Sequence, residues 1–151
     1  MTMIPLPPPM RRALDLAAAA AARGEVPVGA VVTVGDSIVG EGGNDMRTSF
    51  DPTAHAEMVA LRAAGAALET SRLDEATLWV SLEPCPMCAA AAGLARIARI
   101  VFAAEDEKGG GIIHGPRIFA QPTCHHRPEI VSGIGEEEAA SMLRDFFAAR
   151  R

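Results

Sequence analysis

His55-Ala56-Glu57 and, further along the chain, Pro84-Cys85-Pro86-Met87-Cys88 are the two stretches that decide how this sequence is interpreted. Cys85 and Cys88 stand three residues apart where a helix is predicted to begin, so their side chains share one face. Pro86 suits the first helical position, where its missing N–H removes no hydrogen bond. His55 stands at the start of a second predicted helix. The pattern therefore predicts two thiols and an imidazole at the N-termini of two helices.

Hydrophobic periodicity and turn residues around these stretches predict alternating helices and strands. Helices are expected at about 10–23, 54–68, from Pro84 to about 95, and from Glu136 to Arg151; strands are expected at 26–34, 38–41, 76–82, 99–103 and 129–132. This order is typical of an α/β fold in which a mixed sheet carries helices on both faces.

Two segments between these elements are predicted as loops. Residues 42–51 are rich in glycine and polar residues, and Asp51-Pro52-Thr53 then supplies the residues that commonly start a helix. Residues 105–124 are irregular, with Gly109-Gly110-Gly111 near their start. Since no strand, glycine loop and helix follow one another there, the triplet favours a flexible turn over a phosphate-binding loop.

Composition indicates one compact domain over residues 1–151. Hydrophobic residues make up 49% of the 151 residues, enough for a substantial core. The formal charge of -5 excludes a strongly basic nucleic-acid footprint over the whole protein, although it allows a local basic patch.

The cysteines and the N-terminal region indicate a cytoplasmic protein with no membrane partner. The chain has an odd number of cysteines, three, and two residues separate Cys85 from Cys88, which does not suit a disulfide framework. Met1 to Pro9 is proline-rich and lacks the apolar core of a signal peptide. The apolar run Ala13 to Ala22 is too short to cross a bilayer.

The chemistry expected of this residue set is zinc-assisted hydrolysis. His55, Cys85 and Cys88 offer three protein ligands, and a fourth position left to water is typical of a catalytic zinc site. Glu57 is not needed as a ligand and can move protons beside the metal. By contrast, Cys124, His125, His126 and His114 lack ligand-pair spacing and are interpreted as ordinary loop residues.

The H-A-E and P-C-x-x-C motifs resemble the signature of zinc-dependent base deaminases. The chain is similar to the cytidine deaminase-like superfamily, and its flanking stretches are more similar to the bacterial tRNA-specific adenosine deaminases. Those stretches are residues 25–30, 51–57, 82–85, 87–88 and 145–147. The resemblance implies a three-layer α/β/α sandwich around a five-stranded mixed sheet, a homodimer with one zinc ion per subunit, and conversion of the wobble adenosine of a tRNA anticodon to inosine.

The resemblance also implies roles for individual residues. His55, Cys85 and Cys88 match the family's zinc ligands, and Glu57 matches its proton shuttle. Residues that match substrate contacts are Asn44, which meets the base, Ala56 and Val28 at the pocket wall, and Asp106 and Lys108 on a loop that meets the nucleic acid.

Two alternatives remain open from the sequence. The acidic balance, with Glu105 beside the nucleic-acid loop, motivates a deaminase of a free nucleobase or nucleoside, of guanine, cytosine or adenine type. The second alternative is a zinc-stabilised binding module without catalysis, which would require a fourth protein ligand.

Overall fold

The computed structural model describes residues 5–150, and the predicted end of the last helix at Arg151 lies outside this range. Four α-helices are present in it: α1 (Pro8–Ala22), α2 (Ala56–Leu68), α3 (Pro86–Leu94) and α4 (Glu136–Ala148). Its five strands are β1 (Gly29–Val34), β2 (Ser37–Gly43), β3 (Ala76–Leu82), β4 (Arg99–Ala104) and β5 (Glu129–Ser132), with a short 3-10 turn at Ile118–Ala120.

The strands form one mixed sheet in the order β2-β1-β3-β4-β5. β1 is antiparallel to β2 and β3, whereas β4 is parallel to β3 and β5. Leu82 at the end of β3 pairs with Ala104 at the end of β4. Because parallel strands end at the same edge, the chain segments that follow Leu82 and Ala104 emerge side by side. The predicted cysteines and the irregular segment both follow this edge.

Two separate apolar cores cover the two faces of the sheet. Leu78 and Val80 of β3 pack with residues of α2 and α3 on one face. Trp79, between them, points to the opposite face and packs with residues of α1 and α4. The alternation follows from the period of two along a strand. The predicted three-layer α/β/α sandwich around a five-stranded mixed sheet is therefore confirmed.

Glycines in β1 and β2 allow α1 to approach one face of the sheet closely and α2 to approach the other. A Cβ on Gly29 of β1 would lie 2.0 Å from the carbonyl oxygen of Ala13 in α1. A Cβ on Gly40 of β2 would lie 2.4 Å from the carbonyl oxygen of Ala60 in α2. Only glycine permits backbone contacts this close. The small residues of α1 and α2 complement these positions.

The predicted bounds of several elements are corrected, including the start of α1, which is Pro8, and that of α3, which is Pro86. β1 begins at Gly29 rather than at residue 26, and β2 continues to Gly43, so the following loop is shorter than predicted. α2 begins at Ala56 rather than at residue 54, because Asp51 accepts hydrogen bonds from Thr53 within its own turn. In the described part of the chain, none of the helices has the length and apolar character needed to span a membrane.

Candidate active site

Two helix starts bring the predicted metal ligands together. His55 is the N-cap residue of α2, Cys85 is the N-cap residue of α3, and Cys88 follows in the first turn of α3. Pro86 occupies the first turn of α3, as predicted, because its missing N–H removes no hydrogen bond there. His55 Nδ1 lies 3.5 Å from the sulfur of Cys85 and 3.5 Å from that of Cys88. The three residues form a compact group of metal-ligating type.

The donor set fits zinc. One imidazole nitrogen and two sulfurs are the ligands that zinc prefers. A tetrahedral zinc ion with usual bond lengths separates a nitrogen from a sulfur ligand by about 3.6 Å, which agrees with the 3.5 Å observed. Within residues 5–150, no further His, Cys, Asp or Glu joins this group. A set of three protein ligands is typical of a catalytic site and counts against the zinc-stabilised binding module.

Glu57 lies beside this group and is shielded from solvent. Its side chain is buried, with 4% of its surface exposed, in the first turn of α2. Burial raises the pKa of Glu57 to about 7. A carboxyl group with a pKa near neutrality can both accept and donate a proton, which is the property that general acid–base chemistry requires.

The two thiols share a proton unequally. A hydrogen bond from the Cys88 thiol, more than the proximity of His55, lowers the pKa of Cys85 to about 5. The same hydrogen bond and burial raise the pKa of Cys88. The helix dipole at the N-terminus of α3 also favours the thiolate form of Cys85.

The predicted substrate residues Asn44, Ala56 and Val28 lie together beside the metal group. Asn44 is buried, and its side-chain oxygen accepts a hydrogen bond of 2.8 Å from Ala56 N–H. Its backbone N–H donates to the Val28 carbonyl oxygen at 3.0 Å. The side chain of Val28 belongs to the core on the α2 and α3 face. Asn44 therefore caps α2 from a distant part of the chain, and its amide nitrogen is the end available to a ligand.

A buried carboxylate that sequence reasoning missed fixes the loop of Asp106 and Lys108. Glu83 is 2% exposed and follows β3 directly. One of its oxygens accepts hydrogen bonds from Asp106 N–H and His114 Nδ1–H, and the other accepts from the backbone N–H groups of residues 112–114. Asp106 accepts from Lys108 N–H within the same loop. The signal in the sequence that could have indicated this buried carboxylate is the position of a charged residue between an apolar strand and Pro84.

Electrostatics favour an ion pair at this carboxylate. Burial alone would raise the pKa of Glu83, but the hydrogen bonds from His114 and the backbone lower it below its ordinary value. The same hydrogen bond raises the pKa of His114. His114 Nε2 also lies 3.6 Å from a carboxylate oxygen of Glu105. The loop is thereby fastened to the segment that carries Cys85.

Two glycines of the predicted flexible turn are buried instead. A Cβ on Gly110 would lie 2.4 Å from Glu83 Oε2, and one on Gly111 would lie 2.5 Å from the nitrogen of Pro86. Gly111 N–H also donates to the Pro84 carbonyl oxygen at 2.8 Å. The flexible-turn prediction is wrong for these two residues, because they allow close contact between the loop and the metal-binding segment.

A second missed carboxylate, Glu25, organises the loop after Asn44. It is 1% exposed and accepts hydrogen bonds from the hydroxyl and N–H of Thr48 and from Arg47 N–H. Because Glu25 lies between α1 and β1, it fastens this loop to the core of the domain.

Cys124, His125 and His126, predicted as ordinary loop residues, lie outside the metal group, whereas His114, predicted with them, donates to the buried Glu83. The Cys124 thiol donates to the His126 carbonyl oxygen at 3.0 Å, and His126 Nε2 donates to the Ile97 carbonyl oxygen at 2.6 Å. They line a cavity of about 350 Å³ at the C-terminal end of α3, together with Phe119. His55, Glu57, Cys85 and Cys88 are not among the lining residues of this cavity. We therefore place the chemistry at the metal group and not in the cavity.

Comparisons with known proteins agree with this geometry. Residues 8–104 match the family described as the cytidine and deoxycytidylate deaminase zinc-binding region. The tRNA-specific adenosine deaminase of Agrobacterium fabrum is 48% identical over 142 residues, which cover 94% of this chain and 93% of that protein. A solved structure from work on A-to-I editing by tRNA A34 deaminases at the wobble position has a TM-score of 0.88 and 47% identity, covering 89% of this chain and 98% of its own.

The fold is also shared with deaminases of other bases. A guanine deaminase from Nitrosomonas europaea has a TM-score of 0.79 and 26% identity, with coverage of 97% of this chain and 87% of its own. The higher sequence identity, 47–48% against 26%, lies with the adenosine enzymes. This chain therefore belongs to the zinc-binding cytidine and deoxycytidylate deaminase family and, within it, to the tRNA-specific adenosine deaminases.

Proposed function

We propose that this protein hydrolyses the wobble adenosine of a tRNA anticodon to inosine and releases ammonia. The observation that carries the proposal is the buried carboxyl of Glu57 beside the group of His55, Cys85 and Cys88. These three residues would hold one zinc ion per subunit. Their distances and donor atoms support this assignment.

Zinc, when bound, would supply the Lewis acidity that makes water an effective nucleophile near neutral pH. Glu57 performs the proton transfers. It takes one proton of the water and delivers it to N1 of adenine, and it then passes the second proton to the departing amine at C6. A pKa of about 7 suits this alternation between base and acid.

The remaining predicted residues surround the base and its neighbours. Asn44 presents its amide nitrogen as a donor to a ring nitrogen of the base, while Ala56 and Val28 form the wall beside it. Asp106 and Lys108 lie on the loop fastened by Glu83 and face the nucleotides around the target. A target base must leave its stack, which a single-stranded anticodon loop allows at low cost.

We also propose that residues 1–151 act as a single deaminase domain, and that two copies form a homodimer in the cytoplasm. Similarity over 94% of this chain to an adenosine deaminase supports the domain assignment. Free cysteines at 85, 88 and 124 support a reducing compartment.

The test is deamination of an anticodon stem-loop RNA that carries a wobble adenosine. We expect ammonia release and one inosine per RNA, read by nuclease digestion and mass spectrometry. The same stem-loop with guanosine at that position is the control. An inactive protein whose zinc content is complete would overturn the proposal.

A second candidate is the deamination of a free nucleobase or nucleoside. The likeness to guanine deaminase favours it, as do the acidic residues Glu105, Asp106 and Glu107 on the loop near the site. A panel of free adenine, guanine, cytosine and their nucleosides separates the two. Turnover of one of these with higher kcat/KM than the stem-loop would replace the first proposal with this one.

A further inference from the structure

Phe50 is an aromatic side chain that the fold does not bury. It is 93% exposed, the highest value among the large apolar residues described. Its backbone has a φ of 54°, in the left-handed region that bulky residues rarely adopt. Backbone strain of this kind persists where the surrounding structure imposes it, and it is concentrated at ligand-binding sites.

The loop around Phe50 holds this conformation through its own hydrogen bonds. Asp51 N–H donates to the Met46 carbonyl oxygen at 3.0 Å, and Ser49 N–H donates to that of Asp45 at 3.0 Å. Buried Glu25 accepts from Thr48 N–H at 2.8 Å. These bonds on both sides of Phe50 fasten the backbone and leave the ring outside, so the ring is presented in a defined place at little entropic cost.

The ends of this loop are parts of the proposed active site. It starts at Asn44, whose backbone N–H is bonded to Val28, and it ends at His55. Asp45 N–H donates to the Ala54 carbonyl oxygen at 3.0 Å, which closes the base of the loop beside the site. Phe50 stands six positions from Asn44, and six residues of chain span at most about 22 Å, so Phe50 lies within a few nucleotides of a base bound at Asn44.

We propose that Phe50 is a stacking platform for an unpaired base next to the reacting adenosine, an inference that rests on the proposed function. Splayed bases of single-stranded RNA stack on exposed aromatic rings regardless of base identity. Two carboxylates that belong to or hold this loop are already engaged, since Asp51 accepts from Thr53 and Glu25 accepts from Thr48. The ring therefore contributes to binding of the RNA, and the chemistry at the target base does not involve it.

Steady-state kinetics of Phe50→Ala, Phe50→Trp and Phe50→Leu on the stem-loop test this role. We expect Phe50→Ala and Phe50→Leu to raise KM about tenfold with little change in kcat, because a stacked base is lost. Phe50→Trp retains the wild-type KM, since any aromatic ring provides a stacking face. Ile38→Ala, which removes another exposed apolar side chain at the start of β2, is the matched control and leaves KM unchanged.

Fold damage is separated from lost stacking by Phe50→Gly. Glycine adopts a positive φ without strain, so this variant should melt no lower than Phe50→Ala while it raises KM to the same extent. An unchanged KM in Phe50→Ala, or full rescue by Phe50→Leu, would overturn the inference while leaving the proposed function intact.

Anisotropy measurements of stem-loop affinity decide the inference even without turnover. If wild-type protein binds the RNA but does not deaminate it, the proposed function fails. Tighter binding by wild type and Phe50→Trp than by Phe50→Ala would still support stacking. Equal affinities across the three proteins, or no binding by any of them, would contradict it.

Discussion

The side-chain oxygen of Asn44 accepts a hydrogen bond of 2.8 Å from the backbone N–H of Ala56, so one residue both caps α2 and faces the proposed base. The two roles use different atoms. The oxygen stabilises the helix start, and the nitrogen is left for the substrate. Substitutions that keep one atom and remove the other can therefore separate them.

We expect Asn44→Asp to fold well and bind substrate poorly. The carboxylate of the variant still accepts the hydrogen bond from Ala56 N–H at the helix N-terminus, but the NH₂ group that would donate to the base is lost. Asn44→Ala loses both and should be less stable by about 0.5–2 kcal/mol. Urea unfolding and KM for the stem-loop check these expectations. A wild-type KM for Asn44→Asp would show that the amide nitrogen does not touch the base.

Glu57→Gln should retain zinc and lose turnover. Glutamine has the shape of the carboxyl group but cannot carry the proton, so kcat should fall by about 10²–10⁴-fold. Ammonia release and zinc content measured by mass spectrometry test this. Glu69→Gln, at the other end of α2, is the matched control and should behave as wild type. Activity of Glu57→Gln close to that of wild type would show that another group moves the protons.

Metal binding should depend on two of the three cysteines. Cys85→Ser and Cys88→Ser each replace a soft sulfur ligand, and we expect zinc affinity to fall by more than about 100-fold, beyond the usual effect of an outer partner. Cys124 lies on a loop that does not contribute to the metal group, so Cys124→Ser should keep both zinc and activity. Competition with a chelator measures all three. Zinc loss in Cys124→Ser alone would contradict the assignment.

Glu83→Gln should destabilise the loop that carries Asp106. A glutamine offers one oxygen and one NH₂ group to a set of N–H donors, so at least one donor loses its acceptor in a buried place. The expected loss is about 1–3 kcal/mol in the free energy of unfolding. Glu105→Gln is the matched control, because that side chain is half exposed and lies 3.6 Å from His114. Equal stability of both variants would show that Glu83 is dispensable.

Stability at acid pH should depend on Thr48. Burial alone would raise the pKa of Glu25, but hydrogen bonds from Thr48 and Arg47 outweigh it and lower that pKa. The carboxylate therefore stabilises the fold above its unfolded pKa of about 4.3, and this contribution is lost as the pH falls through the lower folded value. We expect Thr48→Val to be less stable at neutral pH and to lose less stability on acidification, whereas Thr123→Val should match wild type in unfolding experiments.

The sequence was sufficient for the metal group and for the layers of the fold. One histidine and two cysteines at helix starts predicted the metal group, and alternating apolar strands predicted the layers. β3 and β5 have the predicted bounds. Local pattern could not reveal contacts between distant segments. Asn44, for example, caps a helix that begins twelve positions further along the chain.

The same limit applies to the two buried carboxylates. Glu25 and Glu83 stand beside Val26 and Pro84, where a charge gives no sign of its partners. Those partners are backbone N–H groups, with the side chains of Thr48 and His114, on loops that are 22–31 residues away in sequence. The burial of Gly110 and Gly111 could not be predicted for the same reason, because the atoms they approach belong to Glu83 and Pro86, in the segment that follows β3.

His55 and Cys85 are both N-cap residues, and they stand thirty positions apart in the chain. A metal that joins them closes that stretch of chain into a ring, and the first turns of α2 and α3 then open only together. Hydrogen–deuterium exchange should accordingly report metal loss as faster exchange at the amides of residues 57–60 and 88–91, while the amides of β3 between the two helices stay protected. The zinc site would thus set how often its own surroundings open, as well as what they catalyse.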